Sequence, residues 1–304
     1  MFTSIIQQIT SVFSPTWPIV APVFLCVFAG FVWKKLNRPY DTGFVSQLVM
    51  NIGAPALIIS SLSTTPITPS QLTNMLAICA TLIVGLLISS VIILKILRYS
   101  VRDFIVSLTF PNVGNMGLPL CLFAFGEKGL SFALALFMIF SLLHFSLGVA
   151  ILSGRSVLKQ TLTNPIIYSV IAAAAMVFGD FHLPYWASKS VKLLGDFTIP
   201  MMLLTLGVSL ATLKVEYVRK SVLLAVLRLG LGLAVGWGVC EAFDLEGVMR
   251  GVVILQATMP VAVFNYMFAM QYNRQPQVIA GMVVISTLLS FISLPWLLSW
   301  LVEI

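Results

Sequence analysis

Phe110-Pro111-Asn112-Val113-Gly114-Asn115-Met116-Gly117-Leu118-Pro119 sits mid-way along a run otherwise apolar enough to cross a bilayer. Thr258-Met259-Pro260-Val261-Ala262-Val263-Phe264-Asn265-Tyr266 sits mid-way along another, in the other half of the 304-residue chain. Proline removes a backbone donor and clashes with the preceding turn, so both helices should break at membrane depth. Broken backbone is tolerated there only where protein or a water-filled cavity surrounds it. Paired breaks in matching places of two halves point to the binding site of a transporter.

The rest of the chain sets the frame. It is 59% hydrophobic and 9% charged, where a soluble domain carries about a quarter charged residues. An all-α integral membrane protein follows. The net charge of +7 does not suggest nucleic acid, because the basic residues form short clusters between apolar runs. We read ten spans, at 16–33, 42–62, 71–94, 103–125, 129–152, 163–179, 190–212, 220–240, 250–272 and 277–300. Most have the length a helix needs to cross the hydrocarbon core. No positive charge precedes the first, which therefore does not read as a cleaved signal peptide. Twelve Lys and Arg residues fall on one side of the spans and four on the other, with Arg228 left inside span 8. The richer side is cytoplasmic by the positive-inside rule, which puts both termini outside.

Five spans per half, in residues 1–152 and 153–304, force the halves into opposite orientations, as in an inverted repeat. Asn51-Ile52-Gly53-Ala54-Pro55 in span 2 echoes Asp196-Phe197-Thr198-Ile199-Pro200 in span 7, 145 positions later. Pro111 and Pro260 are 149 positions apart. The expected fold is thus ten transmembrane helices as a 5+5 inverted repeat whose two broken helices cross near the midplane.

The chemistry follows from the breaks. Gly114 and Gly117 allow close backbone approach, and Asn112 and Asn115 offer amides. The helix half after a break starts with unsatisfied N–H groups and the positive end of a dipole. That is a ready anion site, and a carboxylate is its natural guest. Thr258 and Asn265 flank the partner break. The candidate substrate-binding set is Pro111, Asn112, Gly114, Asn115, Thr258, Pro260 and Asn265. The competing reading is two ordinary kinks patched by hydroxyls and amides.

The stretch Asn112-Val113-Gly114-Asn115-Met116-Gly117-Leu118-Pro119-Leu120 resembles the fourth-helix signature of the auxin efflux carrier family, which includes bacterial permeases and the plant PIN-formed carriers. Asn164-Pro165-Ile166-Ile167-Tyr168-Ser169 and the run from Met259-Pro260 to Gln271-Tyr272 resemble further motifs of that family, in the same order. The resemblance implies the fold shared with bile-acid symporters and sodium/proton antiporters. It implies a scaffold domain of spans 1, 2, 6 and 7 and a transport domain of spans 3–5 and 8–10. It also implies elevator-like movement of small organic anions, auxin-like monocarboxylates or malate-like dicarboxylates, across a bacterial inner membrane or other plasma membrane. A homodimer through scaffold helices is a further implication. The long cytoplasmic loop of the long plant carriers has no counterpart here.

Other residues carry open alternatives. Asp196 could bind a proton or cation and couple transport, with Asn51 as its uncharged counterpart; equally, it could pair with Lys192 one turn back. Coupling to H+ or Na+ stays open, and no cofactor is implied. Arg228, two turns from the cytoplasmic cluster, reads better as a snorkelling residue than as an anion site. His144 reads better as a hydrogen-bonded structural histidine than as a proton relay. Gly232 and Gly236 read as a close-packing motif. The four cysteines read as small buried residues. An enzyme is not expected. Leu194-Gly195-Asp196 and Tyr40-Asp41 only loosely resemble intramembrane aspartyl protease motifs, and their aspartates fall at opposite faces. The alternative to a carrier is an anion channel or sensor, but a channel needs a more continuous polar path.

Overall fold

The computed structural model describes residues 2–64, 69–154, 165–179, 181 and 183–302. Asn164 of the second family motif and the cytoplasmic candidates Arg155 and Lys159 lie outside them. Among the described residues the chain is helical, and its one pairing of extended backbone is an isolated bridge between Pro111 and Val261.

Helix α1 (Phe2–Lys35) ends on Lys34 and Lys35, cations placed where the dipole is negative. Asp41 then caps α2 (Thr42–Leu48), accepting the Phe44 N–H at 3.0 Å. A π-helical turn, Val49–Gly53, carries α2 into α3 (Ala54–Thr64). Pro55 explains that turn: it cannot donate, and the ladder widens so that the Ala54 N–H reaches the Val49 carbonyl. Then come α4 (Pro69–Ile96), α5 (Val101–Thr109), α6 (Leu118–Leu143), α7 (Val149–Ser153) and α8 (Pro165–Gly179). The second half continues with α9 (Tyr185–Asp196), α10 (Thr198–Thr212), α11 (Val218–Ala242), α12 (Gly247–Ala257), α13 (Val263–Tyr272) and α14 (Pro276–Val302).

Among the described residues, seven stretches are long and apolar enough to cross a membrane by length and composition, where ten spans were expected. The difference lies at the interruptions. Expected spans 4 and 5 share the single stretch Val113–Ser153, whose axis breaks at Gly126 (φ 66°, ψ −161°), a conformation open mainly to glycine. Among the described residues, span 6 corresponds to the 15-residue α8. Span 9 is divided into α12 and α13, of 11 and 10 residues, on either side of Pro260.

Two glycine-mediated contacts organise one side of the molecule. At Gly30 and Gly207, α1 and α10 approach until a Cβ on either would run into the other's backbone, at Leu204 and Val27. Gly195, at the end of α9, packs on Leu57 of α3, while Gly53 packs on Thr198 at the start of α10. The two echoed segments, 51–55 and 196–200, therefore meet. Small residues permit this in lipid, where close van der Waals contact replaces the hydrophobic drive. On the other side, α11 packs against α4, α12 and α14. Gly232 and Gly236 lie against Ala257, so this motif works inside the subunit.

Candidate functional site at the crossing of two broken helices

Both proline-bearing segments leave the helical conformation. Helix α5 stops at Thr109, with Phe110 extended (φ −99°, ψ 101°), and the chain re-enters helix through a π turn, Val113–Gly117, that leads into α6. Helix α12 stops at Ala257, and α13 starts after Ala262 (φ −66°, ψ 141°). The extended pieces run antiparallel at Pro111 and Val261, and the Asn112 N–H donates to the Pro260 carbonyl at 2.7 Å. The Val261 N–H donates to Ser286 Oγ of α14 at 3.0 Å. Four helix ends converge here: the C-termini of α5 and α12, and the N-termini of the α6 half and of α13.

The polar groups divide between these ends. Asn112 is buried, and its side-chain Nδ2 has no partner among the described residues. Gly114 lies under Phe137, whose ring a Cβ would approach to 2.9 Å. Asn115, by contrast, faces a cavity of about 160 Å³ lined also by Lys34, Tyr40, Ser46, Thr205 and Phe264. Asn115 and Ser46 also line a smaller neighbouring cavity. Tyr40 donates to or accepts from Thr205 at 2.7 Å. Burial raises the Tyr40 phenol above its ordinary value, against the effect of the Thr205 bond, so it remains a neutral group at the cavity's mouth.

The second break is occupied differently. Thr258 Oγ1 bonds back to the Ile254 carbonyl at 2.7 Å, closing its own helix end. Asn265 is 1% exposed; its Nδ2 donates to the Phe110 carbonyl at 3.0 Å and its Oδ1 lies 2.7 Å from His144 Nε2. With that amide orientation, Nε2 is the protonated nitrogen of His144. His144 stacks on Phe110 with 4.6 Å between ring centroids. Asn265 and Thr258 thus do not line the cavity with Asn115 as expected; both are engaged in holding backbone.

Arg228 corrects its expected reading. It is fully buried, and its guanidinium donates to three carbonyls at the crossing. These are Leu108 near the end of α5 (Nη1, 2.6 Å), Ala257 at the end of α12 (Nη2) and Met259 (Nε, 3.4 Å). The helix turns it inward rather than toward the inner surface, because the last carbonyls of two helices face it without intrahelical partners. None of the ion pairs formed by the described residues includes it. An ionisable group deep in an apolar helix was the available signal, and the glycine four residues on sharpened it.

Gln256 carried no such signal. It is fully buried, its side-chain nitrogen and oxygen have no partners among the described residues, and it lies over Gly117 where a Cβ would meet it. Of the two ion-coupling candidates, Asp196 stands apart from the crossing and Asn51 lies beside it. Asp196 pairs with Lys192 at 3.0 Å, with side chains 57% and 47% exposed. Asn51 lines a cavity of about 290 Å³ with Gln47, Phe145 and Pro165, which adjoins the Asn115 cavity through the shared residues Ser46, Phe264 and Met267. A wider cavity, about 790 Å³, lies at Lys128 and residues 244–250, where the chain enters α12, and none of the crossing residues lines it.

The family model for membrane transport proteins matches residues 17–157 and 149–298. The chain belongs to that family. The resemblance to the auxin efflux carriers is therefore established at the family level. An uncharacterized transporter of Methanocaldococcus jannaschii is 24% identical over 90% of this chain and 95% of its own length. A Rhizobium meliloti protein named "Putative malonate transporter" is 26% identical over 92% of this chain and 94% of its own. Auxin efflux carrier component 1 of Arabidopsis thaliana is 27% identical over 43% of this chain and 22% of its own length. Family membership and the apolar spans make this a multi-pass membrane transport protein.

Proposed function

We propose that the chain is a secondary carrier of small organic anions that binds a carboxylate at the crossing and works by alternating access. The observation that carries this reading is the electrostatic composition of the crossing. Two helix N-termini and the amide of Asn115 border a cavity whose lining includes Lys34 and no acidic side chain, and Arg228, bonded to the carbonyls of the breaks, has no acidic partner among the described residues. A helix end carries about half an elementary charge. The C-terminal ends of α5 and α12 sum to about −1 and are met by Arg228; the two N-terminal ends sum to about +1 and lack a partner. One carboxylate supplies it.

In this reading the chain makes ten passages as two inverted five-helix repeats, residues 1–152 and 153–304, with α5–α6 and α12–α13 as the crossing pair. The close α1–α10 and α3–α9 contacts support a scaffold of spans 1, 2, 6 and 7, against which the remaining helices move. The cavity holding Asn115 runs toward Lys34 and Tyr40, the side we read as cytoplasmic, so the arrangement corresponds to an inward-facing carrier with both termini outside. The buried Pro111–Val261 bridge at the crossing favours an occluding site over a channel.

The test is counterflow in liposomes loaded with a panel of mono- and dicarboxylates, malonate among them. Saturable uptake stimulated by the same anion inside the vesicle is expected. Flux that rises linearly with concentration and is indifferent to internal substrate would replace the carrier with a channel; no flux of any carboxylate would reject the reading.

A further inference from the structure

We infer that Arg228 is a resident cation: its guanidinium occupies a cation site built from the carbonyls of both breaks, so the crossing takes up no sodium ion. In broken-helix carriers, unwound carbonyls and half-helix C-terminal ends are the groups that coordinate a coupling cation. Here those groups are the carbonyls of Leu108, Ala257 and Met259, drawn from both broken segments, and all three accept from one side chain. A guanidinium suits the place better than a bare ion does. It offers five donors in a planar fork, it is weakly hydrated, and it stays charged when buried.

The surroundings are fitted to it. Gly232 lies one turn beyond Arg228 on α11, and a Cβ there would meet both the Ala257 carbonyl and Arg228 Nη2. The missing side chain lets α11 approach closely enough for the guanidinium to reach across the crossing. The described ion pairs leave the arginine unpaired, as they must if it balances helix ends rather than a carboxylate. Removing a fixed cation from such a site leaves two helix C-termini facing each other unscreened; a mobile cation of similar bonding capacity should then bind. This inference concerns the cation side of the crossing and stands independently of which anion is carried.

The experiment uses the full chain purified in detergent and follows its thermal unfolding. Replacing choline chloride by sodium chloride at equal ionic strength should leave the wild-type transition unmoved. Arg228→Ala should unfold several degrees lower, and guanidinium chloride at about 20 mM, far below the molar range that denatures proteins, should recover most of the loss. Sodium should recover part of it and choline none, because stabilisation requires a ligand that binds the folded state. A role confined to packing would show neither recovery. Selective stabilisation of the wild type by sodium overturns the inference, and so does an Arg228→Ala variant indifferent to both cations. Should that variant not survive extraction, guanidinium added during extraction decides the same question: recovered folded protein supports the inference and continued loss rejects it. Gly232→Ala, which keeps the charge and displaces it, should mimic Arg228→Ala without guanidinium recovery. None of these measurements needs a substrate, so absence of carboxylate flux would remove the proposed function and leave the resident cation intact.

Discussion

The break around Pro111 and the break around Pro260 are both followed by a helix start bearing an asparagine, yet their polar groups end in different places. After Pro111, Asn115 opens onto a cavity and the Asn112 Nδ2 has no partner among the described residues. Around Pro260, Thr258 caps its own helix, Val261 is held by Ser286, and Asn265 bonds both the Phe110 carbonyl and His144. The two breaks thus differ in how far their polar groups are engaged. Those of the second hold the crossing together, while the Asn112 Nδ2 of the first has no partner among the described residues and Asn115 faces a cavity. Helix starts with similar residues need not have similar roles; what separates them is whether a neighbouring helix has already supplied the hydrogen-bond partner.

The sharpest way to break this comparison is Asn265→Ala. It leaves the Phe110 carbonyl and His144 buried without partners, and each orphaned group costs about 1–3 kcal/mol, with values measured inside membranes nearer the low end. A lowered unfolding temperature together with lost transport is expected. His144→Ala should reproduce the stability loss in part, and the double variant should cost less than the sum, because the two side chains share one bond. Additive losses would show that Asn265 and His144 act separately.

Asn115→Ala should do the opposite. Among the described residues no group bonds its amide, so the unfolding temperature should stay near that of the wild type. A hydrogen bond to a charged ligand is worth about 1.5–3 kcal/mol, so carboxylate affinity should fall roughly tenfold to a hundredfold. Unchanged affinity would move the carboxylate away from the first break. Asn112→Ala sharpens the contrast further. Its Nδ2 already lacks a partner, so truncation removes a desolvated group and should leave stability unchanged or slightly higher, while transport falls. A clear loss of stability would mean that Asn112 holds backbone as Asn265 does.

How far the sequence reached is visible in the same residues. Two prolines in apolar runs located both breaks, and the equal spacing of the halves put them together, because proline acts on its own backbone wherever it stands. The number of passages was less secure. Gly126 and Pro260 interrupt helices in ways that length alone divides differently, and among the described residues seven long apolar stretches stand where ten spans were expected. Partners across the fold were not legible. Which asparagine is engaged depends on Phe110 and His144, each more than a hundred residues from Asn265. Arg228 was misjudged for a related reason. Its distance from the cytoplasmic cluster suggested an outward path, while the carbonyls that draw it inward belong to two other segments. Gln256, inside span 9 and uncharged, gave no signal, since what sets it apart is its packing over Gly117 of the other segment.

The smallest effect is expected at the residue that looked most ionic. Asp196 and Lys192 form an i,i+4 pair with both side chains about half exposed. Exposed pairs of this spacing contribute about 0.3–0.5 kcal/mol, and a lysine on the N-terminal side is the weaker order. The carboxylate sits at the end of α9, where a helix dipole opposes it, and it lines none of the cavities that hold the crossing residues. Asp196→Asn should therefore barely move the unfolding temperature and should leave any pH dependence of counterflow in place. If that dependence vanished instead, the proton would enter through the second half of the chain, and the division between a holding break and a binding break would need a third, titrating part on the scaffold side.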